Sequence, residues 1–363
     1  MHVHEVAEVE HLELGAHDVG RRDEVRLARA EIAPHAHTWE EANEFPRELY
    51  EKAGKSGMGG VGYPEAYGGA GGDITHVLAA AEELVMAGRS VGVAVGLGSH
   101  RIGLPPIVSF GTEEQKQRFI PPVLRGEKIA ALAITEPGGG SDVAGLTTKA
   151  VRDGDVYVVN GAKTFITSGC RADLITTAVR TGGPGHGGIS MLVIERGTPG
   201  FTVSKKLQKM GWWASDTAEL TFEDCRVPVA NRIGDENGGF APIMMNFAVE
   251  RLMLAGNCVA IAQLAYDESV SYARERKAFG KAVVNFRREQ KLPREWSATL
   301  RASGQLASGP LLPTESLFIG GISTVRGYFE GEDFGDHGWI AGLDGLCGEV
   351  LDETGGEGLG VWG

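Results

Sequence analysis

The sequence has few cysteines and no long apolar run, and each shortage excludes a class of protein. Four cysteines occur among 363 residues, all far apart: Cys170, Cys225, Cys258 and Cys347. No pair has the spacing of a metal site or a redox motif, so we expect reduced thiols and a cytoplasmic protein. No stretch of about 18 consecutive apolar residues occurs, which argues against a membrane-spanning helix. The acidic first twenty residues lack the apolar core of an export signal.

Basic residues are also scarce, because 35 lysines and arginines stand against 48 aspartates and glutamates. The net charge of −13 argues against nucleic acid as the main partner. No motif of a resident metal is present, so we expect no metal. Glycine, by contrast, is abundant, with 54 residues. These glycines lie mainly in loops and in the last third of the chain.

The first two thirds of the chain predict a helical domain followed by a β domain. After a disordered segment 1–17, residues 18–130 carry apolar residues at helical spacing, and Thr112 predicts a helix cap. Residues 131–238 contain short β-rich runs between glycine turns, which predict a small barrel or sandwich. Within them the pair Asn160-Gly161 predicts the turn of a hairpin.

The last third changes pattern once more. Residues 239–286 return to helical spacing and predict one long helix, near whose start Pro242 is tolerated. After Phe286 the helical period fails, and the stretch from Trp296 to Ser303 alternates strictly, which predicts a strand. The fold class is therefore α+β, with an irregular, glycine-rich β-type tail over residues 287–363.

The stretch AITEPGGGSDVAG, residues 133–145, carries the strongest functional signal. Gly138, Gly139 and Gly140 let backbone amides approach a ligand closely, and Ser141 adds a hydroxyl donor. Three glycines alone would indicate only a turn between a helix and a sheet. The whole string, however, resembles the flavin signature of the acyl-CoA dehydrogenase family, position for position.

Six further stretches resemble the same family, in its order: GYPEAYGG, GTEEQKQRFIPPVLRGE, VNGAKTFITSG, DTAELTFEDCRVP, GDENGGF and ERKAFGK. The resemblance covers roughly residues 18–286. It implies an N-terminal helical domain, a middle β-barrel domain and a C-terminal helical bundle. It also implies FAD as cofactor, an acyl-CoA substrate, an electron-transfer flavoprotein as partner, and a homo-oligomer, either a dimer or a tetramer.

The resemblance assigns roles at matching positions. Four residues match positions that hold the flavin ring and its pyrophosphate: Ile134, Thr135, Gly140 and Ser141. Ser141 also matches a contact to the acyl-CoA. The strand that packs against the flavin ring is matched by Phe165, Ile166 and Thr167, with Phe165 where the family often has Trp. Two more residues, Arg276 and Phe279, match positions that reach the FAD of a neighbouring subunit.

Glu250 is the candidate general base. It lies three residues after Phe247 and four before Leu254, near the apolar stripe of its helix, where desolvation raises the basicity of a carboxylate. Spacing alone leaves open a surface glutamate paired with Arg251. The resemblance implies the base, because the long-chain and isovaleryl branches of the family place theirs on this helix. Arg251 then matches a residue that contacts the bound CoA ester.

The expected bundle is truncated. The family normally continues with further helices and an IHGG-type loop, which this chain lacks, and Arg287 stands where the family usually has Gln. Residues 296–341 instead resemble a fragment of the two-partner-secretion, or haemolysin-activation, outer-membrane barrel proteins, with Val325 to Tyr328 matching a barrel-interior motif. We expect this tail to have no function of its own.

The sequence therefore predicts an FAD-dependent acyl-CoA dehydrogenase. Such an enzyme removes hydrogens from the α and β carbons of an acyl-CoA thioester, gives a trans-2-enoyl-CoA, and passes the electrons to an electron-transfer flavoprotein. Two alternatives remain open. One is a flavin oxidase on the same fold. The other is a truncated or chimeric product that binds no FAD stably and has no activity.

Overall fold

The computed structural model describes residues 25–276 continuously and, beyond them, the strand segments 281–291, 297–307, 317–319, 333–335 and 338–347. The predicted disordered segment 1–17 and the predicted motif at Val325 to Tyr328 lie outside the described residues. The chain divides into two compact units, Met1–Leu264 and Ala265–Gly363.

The first part of the chain is helical, as predicted. A short π-helix, Ala28–Ile32, precedes seven α-helices: α1 (Ala36–Ala42), α2 (Glu48–Lys55), α3 (Ile74–Gly88), α4 (Val91–Leu97), α5 (His100–Gly103), α6 (Pro105–Phe110) and α7 (Glu113–Leu124). Side chains cap the two longest of them. The Asp73 carboxylate accepts from the first turn of α3, and Thr112 forms a capping box with Gln115 at the start of α7. The predicted cap at Thr112 is thus confirmed.

The β region forms one mixed sheet of eight strands: β1 (Ala130–Ala133), β2 (Lys149–Asp153), β3 (Val156–Thr167), β4 (Leu174–Arg180), β5 (Ile189–Glu195), β6 (Phe201–Lys206), β7 (Thr217–Pro228) and β8 (Arg232–Ile233). The order is β6-β7-β3-β2-β4-β5-β8, and β1 pairs with β4 in parallel. Among the described strands, β6 and β8 at the two ends do not pair with each other. The region predicted as a barrel or sandwich is therefore one mixed sheet, in which β1 pairs with β4 outside the main strand order.

The predicted hairpin at Asn160-Gly161 is wrong, because β3 runs straight through this pair. The Asn160 amide donates to Asp224 on β7 and accepts from its backbone N–H, which holds the strand in place. Gly161 has φ +149°, and a Cβ there would lie 2.7 Å from Thr148 Cα, so the glycine permits an irregularity in the ladder. The real turn joins β2 to β3 through Gly154, which has φ +62°.

The long helix α8 spans Phe240–Glu275, which is shorter than predicted. The segment 281–286, expected to be helical, belongs to β9 (Lys281–Lys291), whose Val283 and Val284 favour a strand. The predicted strand after Trp296 is confirmed as β10 (Ser297–Ala307). It lies between β9 and β13 (Gly338–Cys347) in an antiparallel sheet, while β11 (Leu317–Ile319) pairs with β12 (Asp333–Gly335).

Helix α8 is a candidate membrane-spanning helix by its length and composition, although the sequence was not expected to contain one. It is long and apolar enough to cross a membrane by length and composition, with a mean hydropathy of 1.3 over 18 residues, of which 6% are buried. Exposed apolar residues on one helix are equally what a helix of a bundle presents to its neighbours. Length and composition therefore do not assign α8 to a membrane.

A buried ion pair fastens the glycine-rich loop after β1 to β3. The Lys163 ammonium is fully buried and donates to Glu136 Oε1 at 2.9 Å and to the Ile134 carbonyl at 2.8 Å. The Glu136 carboxylate also accepts from the Thr147 and Thr148 backbone N–H groups. Burial alone would raise the pKa of Glu136, but the Lys163 charge and these hydrogen bonds outweigh it and lower the pKa. Both ends of the loop are thus held by one carboxylate.

Replacing Lys163 with Met tests this fastening. The variant leaves Glu136 buried without its partner, so we expect the free energy of unfolding to fall by about 3–5 kcal/mol. The double variant Glu136→Gln with Lys163→Met should recover part of the loss, because no charge is then buried. Urea unfolding measures both, with exposed Lys205→Met on β6 as the control. A loss as small as that of the control would contradict the account.

Candidate functional site

The loop after β1 and the end of β3 meet at the first half of the site. The Thr164 N–H donates to the Thr135 carbonyl at 2.9 Å, so Thr135 lies beside the residues that follow Thr164. Ile134 and Ile166 are buried beneath this contact. A Cβ at Gly140 would lie 2.9 Å from Thr135 Cγ2, so a larger residue there would require the Thr135 side chain to move. The structure thus joins the two segments that the sequence singled out.

Phe165 presents an aromatic ring to solvent at this junction. It lies at an irregularity of the β3–β7 ladder, has φ +59°, and is 68% exposed. A left-handed conformation at a bulky residue is stored strain of the order of 1–3 kcal/mol. A Cβ at Gly138 or Gly139 would meet no described atom within 4 Å, so the loop beside it is open. An exposed aromatic ring next to a glycine loop with open space around it fits a flat, phosphate-bearing cofactor such as FAD.

A cavity of about 230 Å³ forms the second half of the site. It lies between α3, α4, α5 and α8, and its wall is mainly apolar: Met58, Leu84, Leu97, Met253 and Leu254. Thr167, at the end of β3, and Trp212 close one part of it. Glu250 lines the same cavity. One space therefore joins the end of β3 to the candidate base on α8.

Glu250 is half-buried, and its surroundings favour the uncharged form. Burial raises the pKa of its carboxyl group to about 7, and the positive charge of Arg251 lowers it only in part. The Asn246 amide, one helical turn earlier, donates to Glu250 Oε1 at 2.8 Å and to the Ile102 carbonyl at 3.0 Å. A carboxylate whose pKa lies near neutrality suits a general base. Glu250 is therefore a partly buried carboxyl group and not an exposed surface glutamate, the alternative that its spacing left open.

Three polar atoms around the cavity have no hydrogen-bond partner among the described residues: Ser99 Oγ, His100 Nε2 and Asn257 Oδ1. Burial and the nearby Arg101 charge lower the pKa of His100 to about 3, so its imidazole is neutral. The sequence analysis missed His100, Asn246 and Trp212. Of these only Asn246 carried a usable signal, since it stands four residues before Glu250 on the same helical face.

Ser141, next to Gly140 in the glycine loop, does not line the cavity, and neither do Arg251 and Arg276. Ser141 and Arg251 are exposed. Arg276 belongs to the second unit, is exposed, and stacks its guanidinium over the Tyr272 ring, whose hydroxyl accepts its hydrogen bond. Phe279 lies outside the described residues. The roles of these four residues stay predictions.

Comparison with known proteins points to one family along most of the chain. Three family models match in order: "Acyl-CoA dehydrogenase, N-terminal domain" at residues 20–127, the middle domain at 131–225, and the C-terminal domain at 237–307. The last match extends beyond residue 286, into the first two strands of the tail.

Individual relatives agree with these models. The mitochondrial long-chain specific acyl-CoA dehydrogenase of Rattus norvegicus is 41% identical over 278 residues, 76% of this chain. An acyl-CoA dehydrogenase structure from Geobacillus kaustophilus is 42% identical with a TM-score of 0.70, covering 76% of this chain and 72% of its own. One complexed with FAD, from Bacillus anthracis, is 34% identical with a TM-score of 0.67, covering 72% of this chain and 46% of its own. The chain spans 64% of the length of the rat relative.

The raised pKa of Glu250 predicts a pH dependence of stability. The folded carboxyl titrates at about 7 and the unfolded one at about 4.5, so the free energy of unfolding falls as pH rises between these values. The fall is at most about 3 kcal/mol. Glu250→Gln removes it and is therefore the more stable chain at pH 8 but not at pH 4. Denaturant unfolding measures the free energy of unfolding across this pH range, with exposed Glu275→Gln as the control. If the free energies of the unaltered chain and of Glu250→Gln change with pH in parallel, the burial of a charge at Glu250 is refuted.

Proposed function

This chain belongs to the acyl-CoA dehydrogenase family, and from that premise we propose that it is itself an FAD-dependent acyl-CoA dehydrogenase. The family uses FAD. The reaction we assign is the α,β-dehydrogenation of an acyl-CoA thioester to a trans-2-enoyl-CoA. The domains we propose are a helical N-terminal domain over 18–130, a β domain over 131–238 and the start of a bundle over 239–286, with the tail 287–363 taking no part.

One observation carries this proposal: Glu250 and Thr167 line the same cavity. A dehydrogenation of this kind needs a base for the α proton and an acceptor for the β hydrogen. These two hydrogens lie on adjacent carbons of the acyl chain. The base and the acceptor must therefore face one space. Glu250 supplies a carboxylate of raised pKa, and Thr167 marks the strand end where the cofactor is expected.

Five residues at the junction of loop and strand suit FAD. Thr135, Gly140 and Ser141 would hold the ring and the pyrophosphate through backbone N–H groups and hydroxyls. Phe165 and Thr167 would cover one side of the ring. Ile134 and Ile166, also predicted to contact FAD, have buried side chains and would support these residues. When bound, FAD supplies the two-electron acceptor that takes the β hydrogen with its electron pair. Arg276 and Phe279 are proposed to reach the FAD of a second copy.

Glu250 then removes the α proton of the thioester. The partly buried carboxylate is poorly solvated, so it is more basic than an exposed glutamate and accepts the proton near neutral pH. The apolar wall of the cavity excludes water from the acyl chain. Arg251 and Ser141 are proposed to contact the CoA portion. A base on this helix, together with similarity to a long-chain enzyme, favours long or branched acyl chains as substrates.

Three further properties are proposed on the family resemblance. Electrons leave to an electron-transfer flavoprotein, the enzyme assembles as a dimer or tetramer, and it works in the cytoplasm. A flavin oxidase on the same fold is the second candidate, and the sign of it would be rapid reoxidation of the reduced flavin by oxygen alone. Failure to bind FAD would instead favour the chimeric product without activity.

The replacement Glu250→Gln tests the proposed base. We expect the purified variant to keep its flavin, because Glu250 lies on α8 and not among the residues proposed to hold the ring. Bleaching of the flavin band by palmitoyl-CoA should slow by about 10²–10⁴-fold, since the α proton has no acceptor. Stopped-flow absorbance measures the rate.

Glu275→Gln, an exposed change on the same helix, is the matched control and should bleach at the original rate. Equal rates for both variants would show that Glu250 is not the base. Loss of flavin from the Glu250 variant alone would show that its role is structural.

A further inference from the structure

The amide of Asn246 makes the only hydrogen bond to the Glu250 carboxylate among the described residues. Asn246 is 3% exposed, and its Nδ2 lies 2.8 Å from Glu250 Oε1. Glu250 Oε2 receives no donor from the described part of the chain. Since the carboxylate lines the cavity, one oxygen is engaged by α8 itself and the other is left for a substrate.

A second contact fixes which way the amide faces. Nδ2 also donates to the Ile102 carbonyl at 3.0 Å, and a carbonyl can only accept. Rotating the amide by half a turn would set its oxygen against both the Ile102 carbonyl and the Glu250 carboxylate. Both N–H groups are therefore committed, and the buried Asn246 Oδ1 is left without a partner among the described residues. The unpaired Asn246 Oδ1 is unfavourable, but the same amide orientation keeps a fixed donor directed at Glu250.

We propose that Asn246 is the positioning residue of the proposed base: held by the Ile102 carbonyl, it fixes one oxygen of Glu250 and stabilises the carboxylate form. The inference rests on the function proposed above for Glu250. A donor that cannot turn away favours the anion over the neutral acid, because the neutral carboxyl is a weaker acceptor. Asn246 thereby offsets part of the effect of burial and keeps the base usable near neutral pH.

Other charged groups near Glu250 supply only part of this effect. Arg251 follows it on α8, is exposed, and lowers the pKa of Glu250 only in part. On α5, His100 is neutral, and the Arg101 guanidinium donates to the Met58 and Val61 carbonyls. The remaining residues that line the cavity carry no titratable group. Asn246 is therefore the hydrogen-bond donor that acts on the base in addition to the charge of Arg251.

Two replacements at position 246 should raise the pH at which Glu250 ionises, each by a different amount. Asn246→Leu keeps the volume and removes the donor, so the pH at which Glu250 ionises should rise by about one unit. Asn246→Asp sets a second carboxyl against Oε1, so the rise should be larger. For the Leu variant, flavin bleaching by palmitoyl-CoA should be about fivefold slower at pH 7 and nearly normal at pH 9.

Asn231→Leu is the matched control, because Asn231 is equally buried and its amide also donates to a carbonyl, that of Val193. It should change stability without moving the pH profile. The proposal is overturned if the dependence of the bleaching rate on pH does not shift in Asn246→Leu, or if it shifts no more than in the control. It is also overturned if the rate of Asn246→Leu falls equally at pH 7 and pH 9.

A second readout keeps the inference separate from the proposed reaction. In the same full chain, the pH window over which stability falls should extend upward by about one unit in Asn246→Leu and further in Asn246→Asp. Unfolding in denaturant measures this whether or not any acyl-CoA is turned over. An absence of bleaching in the unaltered chain would refute the proposed function, whereas an unchanged window would refute the role of Asn246.

Discussion

The buried contact between Lys163 and Glu136 is the interaction on which the site depends. It ties the loop that follows β1 to the strand that ends at Thr167. Neither charge could remain buried alone, because an unpaired ion in the interior is strongly unfavourable. With both present, the glycine loop and the exposed Phe165 ring are held on one rigid support. The end of β3 at Thr167 thereby forms a fixed wall of the cavity that Glu250 also lines.

The two halves of the site use opposite electrostatic solutions. Under the loop, a carboxylate is buried with a full charge partner and several donors, so its pKa is lowered. In the cavity, Glu250 is partly buried, with one amide donor and the exposed cation of Arg251, and burial prevails and raises its pKa to about 7. The first arrangement gives a permanent charge that supports structure. The second gives a carboxyl group that can gain and lose a proton near neutrality.

Sequence and family resemblance together predicted the helical and β regions, the loop at Gly140 and the buried Glu250, because apolar periodicity and ordered motifs carry that information. They failed where the conformation or role of a residue depends on a partner far along the chain. Asn160-Gly161 reads locally as a turn, yet Asp224 holds it within a strand. No local pattern marks Lys163 as buried, and its burial is explained by Glu136, 27 residues away in the sequence. Asn246 has meaning only once the Ile102 carbonyl lies beside it.

We propose that one cavity joins a bound flavin to a base able to act on an acyl-CoA. The most direct measurement is the visible absorbance spectrum of the purified full chain, before and after addition of palmitoyl-CoA without oxygen. We expect a yellow protein whose flavin band bleaches on addition. A protein that stays colourless when FAD is supplied, or a yellow one that acyl-CoA leaves unchanged, would contradict it.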